Sequence, residues 1–402
     1  MATLSYQDIT FTQQDTRLRG DFLQYFHLFI PYEGLVRIGQ YQVEKHALHF
    51  ATSQDRAERR FSLLLHAAFQ NLQSKYTKKR TVYVHQYSGI PLIGSGAFGI
   101  IDRGTNVIEV KPITGCNLFC IYCSVDQEQR EKDFVVEKDY LVSELRKVIA
   151  YKGASGLEIH IASQGEPMFY APLAALIRDI AAFPEVNVIS VDTNGTLLTN
   201  EKIDELAGAG LTRFNLSINA FSDATARRIA GTHYNINRIK EVARYILTKA
   251  NLLIAPVYLP GINDSDIEDI IAFYLSLDGY GLYQKEIGIQ NFLHYSHGAN
   301  PISGISMDNF YAFLRRLEEK YPVKLIKSAA DFNIVKTNPL EKPFRKGDII
   351  QADIISPGRF FREKIAVAQE RIISVPNCDK ESGQVRLQLV RSKHNIFLGT
   401  VV

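Results

Sequence analysis

Cysteine is scarce in this chain of 402 residues: there are four, and none among the first 115. Charge of one sign is scarce as well. Forty-six Lys and Arg stand against 43 Asp and Glu, a net charge of +3. That is too little to mark the whole chain as a nucleic-acid binder, so any basic surface has to be local. No apolar run approaches the roughly 20 residues that cross a bilayer. The start, MATLSYQDITFTQQDTRLRGDF, has no apolar stretch behind a basic head, so no secretory leader is expected. FSLLLHAAF at 61–69, the most apolar stretch, is interrupted by His66 and reads as a buried helix. These absences predict a soluble, cytoplasmic protein without a membrane partner, in a compartment where thiols stay reduced and clustered cysteines serve metal or catalysis rather than disulfides. The 46% of hydrophobic residues can fill a large core, and at about 150 residues per domain two or three domains are expected.

Residues 106–326 alternate short β-branched runs with amphipathic helical patterns. Strands are expected at Asn106 to Lys111, Leu157 to Ser163, Val186 to Thr193, Arg213 to Asn219, Leu252 to Leu259 and Glu286 to Phe292. Leu141, Leu145, Val148 and Ile149 line one face of a helix between the first two. Six strand–helix units in succession predict a parallel sheet of the α/β class, as a partial (βα)6 TIM-type barrel or a doubly wound sheet. From residue 340 to 402 the pattern changes to short alternating strands separated by Pro357-Gly358, Asn377-Cys378-Asp379 and Ser382-Gly383 turns, the mark of a small β-barrel. Residues 1–104 read as an α+β extension, with helices at Asp21 to Ile30 and Ala57 to Lys75 and a strand at Thr81 to Gln86. The expected units are thus 1–104, 105–335 and 340–402. GSGAFG at 94–99 lacks a Lys-Ser/Thr follower and precedes a strand, so it reads as a tight turn rather than a phosphate loop.

Three of the four cysteines crowd into GCNLFCIYCS, where Cys116, Cys120 and Cys123 form C-x3-C-x2-C just after the first strand. Two ligand chemistries fit. Tetrahedral zinc needs a fourth Cys or His, and none follows Cys123 in the next thirty residues. An iron–sulfur cluster held by three cysteines leaves one iron open to another ligand. Cys378, alone in the β-rich tail, reads as a turn or core residue.

The cysteine spacing, with Tyr122 just before the last thiol, resembles the signature loop of radical S-adenosylmethionine (radical SAM) enzymes. The resemblance implies a [4Fe-4S] cluster on Cys116, Cys120 and Cys123, SAM on its open iron, and Tyr122 near the adenine. Later segments resemble the family's SAM contacts. Gly165, Glu166 and Pro167 match its GGE-type motif, with the Glu accepting from the SAM ammonium. Thr193, Asn194 and Gly195 match a TNG stretch near ribose or carboxylate, Ser217 and Asn219 match positions facing the same groups, and Arg227 and Arg228 are candidate carboxylate partners. Pro256 to Asn263 is similar to the segment that contacts adenine. All fall at carboxyl ends of successive expected strands, the face on which βα barrels build active sites. An electron donor such as ferredoxin or flavodoxin is implied as well.

The tail resembles a TRAM domain, an OB-like barrel attached to RNA-modifying enzymes. It carries eleven Lys and Arg against seven Asp and Glu, with Phe360, Phe361, His394 and Phe397 interleaved, so it is expected to bind RNA, tRNA included. The best-known enzymes that combine these two units, methylthiotransferases, hold a second cluster on three N-terminal cysteines; residues 1–115 here have none, so methylthiolation by that route is not expected, and the reaction at the substrate stays open. Two other readings stand beside an RNA-modifying enzyme. One is a radical SAM enzyme acting on a protein or small molecule, and the other is a metal-stabilised RNA-binding protein without catalysis.

Overall fold

The computed structural model describes every residue except Ser163, so the expected end of the second strand lies outside the described residues. The central sheet has six parallel strands that stand side by side in chain order: Val107–Lys111, Leu157–Ile161, Val186–Thr193, Arg213–Leu216, Asn251–Ile254 and Lys285–Ile287. Gly99–Asp102 adds an antiparallel edge to the first. Helices such as Lys138–Lys152, Leu173–Ala181, Asn200–Gly208 and Ile236–Ile246 connect successive strands. Chain-order adjacency differs from a doubly wound sheet, in which the order reverses.

The register explains why the sheet has two unlike faces. Val110, Ile161, Val191, Phe214 and Leu252 pair across five strands and are all buried, one continuous apolar row. The alternate positions, which point to the opposite side, put Glu109 beside His160, His160 beside Ser190, and Ser190 beside Arg213. His160 Nδ1 donates to Ser190 Oγ (2.8 Å) and its ring lies 3.2 Å from Asp192, while Ser190 donates to Glu158 (2.7 Å) and Asn215 donates to Asp192 (2.9 Å). His160 is therefore a member of a polar network that crosses the sheet.

Several expected strands are longer than the observed ones, because the chain leaves the sheet where the site begins. Ser217 to Asn219 follow the end of the fourth strand. The fifth breaks at Ala255-Pro256, since proline has no N–H for the ladder. The chain resumes as Val257–Tyr258, which pairs with Gln290–Asn291.

The first hundred residues form a three-stranded sheet, a helix Gln54–Phe69 and most of a six-stranded sheet. The expected helix at Asp21 to Ile30 is instead a hairpin of Arg17–Phe22 and Phe26–Pro31. Leu18, Gly20, Phe22 and Phe26, Leu28, Ile30 alternate inward with period two, and Leu23 and Gln24 take positive φ at the tip. The 61–69 stretch is helical, but only one face is covered: Phe61 is buried and Leu63 is 68% exposed. The sixth strand of this sheet, Lys132–Val136, comes from beyond the cysteine loop and pairs in parallel with Arg80–Val84.

Residues 349–401 close a five-stranded barrel of Ile349–Pro357, Lys364–Ala368, Arg371–Val375, Gly383–Arg391 and Leu398–Val401. It has its own core, in which Cys378 is buried with Phe344, Leu387 and Phe397. The GSGAFG turn serves as its dock. Phe397 N donates to Gly94 O (3.0 Å) and Ile372 N to Ile93 O (2.8 Å), and a Cβ on Gly94 would strike the Ile372 backbone. The preceding linker is pinned by Asp102, which accepts from Leu340 N (2.8 Å) and pairs with Lys152 at 2.7 Å, both side chains fully buried.

Candidate active site

The segment between the first parallel strand and Lys132–Val136 carries all three clustered thiols. At its root Thr114 N donates to Phe134 O (3.0 Å) and Phe134 N to Thr114 Oγ1 (2.8 Å). Asp133, fully buried, pairs with Arg130 at 2.7 Å and accepts from Thr77 (2.7 Å). On the far side Phe119 N and Ile121 N donate to Ala230 O and Ile229 O, at the C-terminal end of helix Asp223–Ala230. Gly231 ends that helix with φ +66, and a Cβ there would collide with Phe119. The cysteine loop is clamped from both sides.

The ends of the next strands close around it. Gly165 lies against Thr114 and Gly115, and Glu166 N donates to Gly115 O (2.7 Å). The Glu166 carboxylate accepts from Thr193 Oγ1 (2.8 Å), Asn194 N (2.8 Å) and Met168 N (3.1 Å). Three of its roughly four lone-pair positions are thereby taken by protein donors, so it ties the third strand's turn to the second. Asn194 Nδ2 donates to Asn117 Oδ1 (2.9 Å) and Asn117 Nδ2 to Thr196 Oγ1 (2.8 Å), which joins the cysteine loop to that turn. The Tyr234 hydroxyl lies 2.9 Å from both Asn194 O and Ser217 O and donates between them. Asn219 donates to Tyr122 Oη (3.0 Å) and accepts from Val257 N (2.8 Å), and the buried Asn263 donates to Asn219 O and Val257 O.

These contacts enclose a cavity of about 300 Å³. Cys116, Cys120 and Cys123 line it with Tyr122, Gly165, Glu166, Thr193, Asn194 and Ser217. A smaller recess of about 20 Å³ behind it is bounded by Tyr122, Asn219 and Tyr234. Burial, with Glu166 second, pushes the Cys116 thiol up to about 12, and burial pushes Cys120 well above the ordinary thiol range. The Glu166 carboxyl rises to about 7 because burial outweighs the hydrogen bonds from Asn194, Thr193 and Met168. An electron-poor centre in the cavity would reverse the thiol shifts, since a coordinated thiol is deprotonated outright. The donor set suits an iron–sulfur cluster with one open iron: three thiols from one loop, no histidine among the lining residues, and room beyond them.

Of the fourteen residues named one by one for cluster and SAM, ten border the cavity or its recess, and Val257 of the Pro256 to Asn263 segment lines the cavity as well. Pro167 and Gly195 are buried nearby without lining it; Pro167 opens a short helical turn and Gly195 takes φ +76. Arg228 is exposed on the helix Asp223–Ala230 and, like Arg227, does not reach the cavity. Sequence reasoning missed Asn117 and Tyr234, whose polar groups act between segments remote in sequence; Asn263 falls at the end of the segment expected at the adenine, where it ties Asn219 to Val257. Also missed is the burial of Arg359 against Gln164. Arg359 extends from the C-terminal barrel, is almost fully buried, and donates to Gln164 Oε1 (2.6 Å), Gln164 O (2.8 Å) and Thr114 O (3.3 Å). Of the aromatic residues expected to stack on bases, Phe397 is in the barrel core and Phe360 stacks on His297 at 3.8 Å, whereas Phe361 is 72% exposed.

A profile of the radical SAM superfamily matches residues 110–274. The chain is 36% identical over 373 residues to an uncharacterized protein of Methanocaldococcus jannaschii, covering 85% of each. It is 30% identical over 179 residues to a GTP 3',8-cyclase of a Cyanothece species, a match that spans 42% of this chain and 52% of the cyclase. Among solved structures, Streptococcus suis SuiB bound to its precursor peptide SuiA aligns with a TM-score of 0.45 and 12% identity, over 83% of this chain and 71% of that one.

Proposed function

This chain belongs to the radical SAM superfamily and is an enzyme whose cofactors are a [4Fe-4S] cluster and SAM, and from that premise we propose that it cleaves SAM reductively and modifies RNA held by its C-terminal barrel. The observation that carries the first part is the shared cavity, in which three thiols from one loop face the carboxyl ends of the second, third and fourth parallel strands. In this reading the sheet and its helices are a partial (βα)6 barrel, and residues 1–104, 105–335 and 340–402 are its three units.

Cys116, Cys120 and Cys123 would hold the cluster. When bound, the cluster supplies the electron that splits SAM into methionine and a 5'-deoxyadenosyl radical, which takes a hydrogen atom from substrate. The chain's own groups orient and enclose. Tyr122, set by Asn219, forms a wall shared by cavity and recess and suits the adenine. Ser217, Asn194 and Thr193 present short polar side chains for ribose and the methionine end. Glu166 keeps those groups in register, and its raised pKa suits it to receive a nearby ammonium, which would return it to the ionised form. Gly165, Pro167 and Gly195 shape the turns on which these side chains sit.

RNA is supported by the exposed Lys342, Arg345, Lys346, Arg386, Arg391 and Lys393 of the tail and by exposed Phe361, the charges and the stacking face that a TRAM-like unit would use. A protein or small-molecule substrate is the second reading. It is favoured by burial of Arg359, Lys364 and Phe397, which removes part of the expected basic and aromatic surface. A cytoplasmic location and a ferredoxin- or flavodoxin-type electron donor belong to the same proposal; among the described residues no helix is long and apolar enough to cross a membrane. The deciding experiment is anaerobic reconstitution with iron and sulfide, followed by SAM and a chemical reductant. 5'-Deoxyadenosine should form. An iron-free protein, or one that leaves SAM intact, would end this reading.

A further inference from the structure

Behind the cysteine loop lie two buried arginines, one of which has no carboxylate in contact with it among the described residues. Arg359 and Arg130 are each 3% exposed. Arg130 has Asp133 as its partner. Arg359 has none of that kind: its guanidinium meets only the neutral oxygens of Gln164 and Thr114, and no carboxylate pairs with it among the described residues. The Nε atoms of both arginines find no acceptor there either. Lys79 adds a third cation, its ammonium directed at the carbonyls of Gln127 and Arg130. Among the described residues, Asp133 is the one fully buried carboxylate beside these three cations, with Asp126 and Glu363 half-buried nearby.

Burial, then the neighbouring Arg130, holds the Arg359 pKa down at about 10, while Asp133, Cys123 and Glu363 act in the other direction. A buried charge without a partner is strongly unfavourable, and one that persists is matched by something of opposite sign. The place of the missing charge follows from the hydrogen bonds. Arg359 donates to Gln164, Gln164 donates to Ser124 Oγ (3.3 Å), and Ser124 adjoins Cys123. Gln164, Ser124 and Cys123 all line the cavity. Three thiolates around a cluster leave that centre anionic, and more so after it accepts an electron.

We propose that Arg359, delivered by the C-terminal barrel and backed by Arg130, is the buried counter-charge of the cysteine-held cluster and raises its reduction potential. This rests on the cofactor assignment above. The barrel is then part of the redox centre, whatever it binds on its outer face. The backbone that carries the arginine is held firmly in place, as that role requires. Glu131 N donates to Arg359 O (2.9 Å), and Arg359 N and Phe360 N donate to Glu363 Oε2 (2.8 and 3.1 Å). A positive charge near the cluster stabilises the reduced, more anionic state.

The test is an EPR-monitored redox titration of the reconstituted full-length enzyme without SAM, on wild type, R359Q, R359K and Q164E. R359Q removes the charge, R359K retains it with fewer donors, and Q164E sets a carboxylate against the guanidinium without altering shape. R359Q and Q164E should titrate at more negative potential than wild type, with R359K close to wild type. Should R359Q fail to hold a cluster, R359M is titrated in its place, because the Q164E carboxylate would itself line the cavity and does not by itself isolate Arg359. Unchanged midpoints in the charge-altering variants that hold a cluster, or equal shifts in R359K and R359Q, would mean that Arg359 only fastens the barrel, and the inference falls. A wild type without any cluster signal overturns the cofactor assignment itself, and this inference with it.

Discussion

Gly165 lies so close to Gly115 that a Cβ built on it would stand 2.5 Å from the Gly115 carbonyl oxygen and 2.5 Å from Thr114 C. Both neighbours are backbone at the root of the cysteine loop, so neither can yield by rotating a side chain. Gly165→Ala should displace that loop, at a cost of about 1–3 kcal/mol by the usual penalty for overpacking. The measurement is denaturant unfolding together with 5'-deoxyadenosine formation, and both should fall. Gly208→Ala is the control. Gly208 is the last residue of a helix, with nothing within 4 Å, and the change should leave both stability and 5'-deoxyadenosine formation close to wild type.

Cysteine replacement separates the loop thiols from the fourth. Cys116→Ala, Cys120→Ala and Cys123→Ala should each abolish iron binding and SAM cleavage. Cys378→Ala, buried in the core of the C-terminal barrel, should keep both and lose only stability. Iron and sulfide assays on the four proteins check this, and full iron content in any of the first three would remove that residue from the ligand set.

Tyr234→Phe deletes the hydroxyl that donates between Asn194 O and Ser217 O. Leaving a buried acceptor without its donor typically costs about 1–3 kcal/mol. The turn after the third strand should loosen, and SAM affinity should fall more than cluster content does. Equilibrium binding of SAM by the reconstituted variant reports the difference.

The His160–Asp192 pair gives a pH signature. Burial opposes the His160 imidazolium, but Asp192, Glu158 and Glu109 outweigh it and hold its pKa above the ordinary value. Burial likewise opposes the Asp192 carboxylate, and His160 and Asn215 hold its pKa below the usual range. For a raised histidine the contribution to stability is complete below the unfolded value of about 6.5 and disappears as pH rises through the folded one. The stability difference between wild type and H160Q should therefore be largest at mildly acidic pH and shrink as the solution becomes alkaline. A difference that grows with pH would contradict the ion pair.

RNA binding by the tail has its own test. Replacing exposed Arg386, Arg391 and Lys393 with Gln should weaken binding across sequences and reduce the salt slope by about one for each phosphate no longer neutralised. Filter binding at several salt concentrations measures it. Affinity independent of salt would favour the protein or small-molecule reading.

What is legible in the sequence alone is whatever a single segment carries. The three thiols at C-x3-C-x2-C, the third strand, which matches Val186–Thr193 at both ends, and the alternation of the tail are local patterns. The hairpin at Arg17–Pro31 reads wrongly as a helix because FLQYFHLFI satisfies a helical spacing as well as a period of two, and only the sheet beside it decides. Asn117 and Tyr234 are invisible for a related reason: an amide or hydroxyl that joins loops scores as ordinary polarity until the loops meet. Arg359 is the hardest. In the sequence it is one basic residue among eleven in the tail, and its burial depends on how the barrel docks at Gly94 and Ile372.

The strand Lys132–Val136, which returns from the cysteine loop to complete the amino-terminal sheet, makes the first hundred residues indispensable to the rest. A chain shortened to begin near residue 105 would keep every thiol and every cavity-lining side chain. It would also lay bare Phe134, Val135 and Val136, all buried in the whole molecule, along a ladder with no neighbour. Such an edge recruits other chains, so the shortened protein would emerge as aggregate rather than as a smaller catalyst.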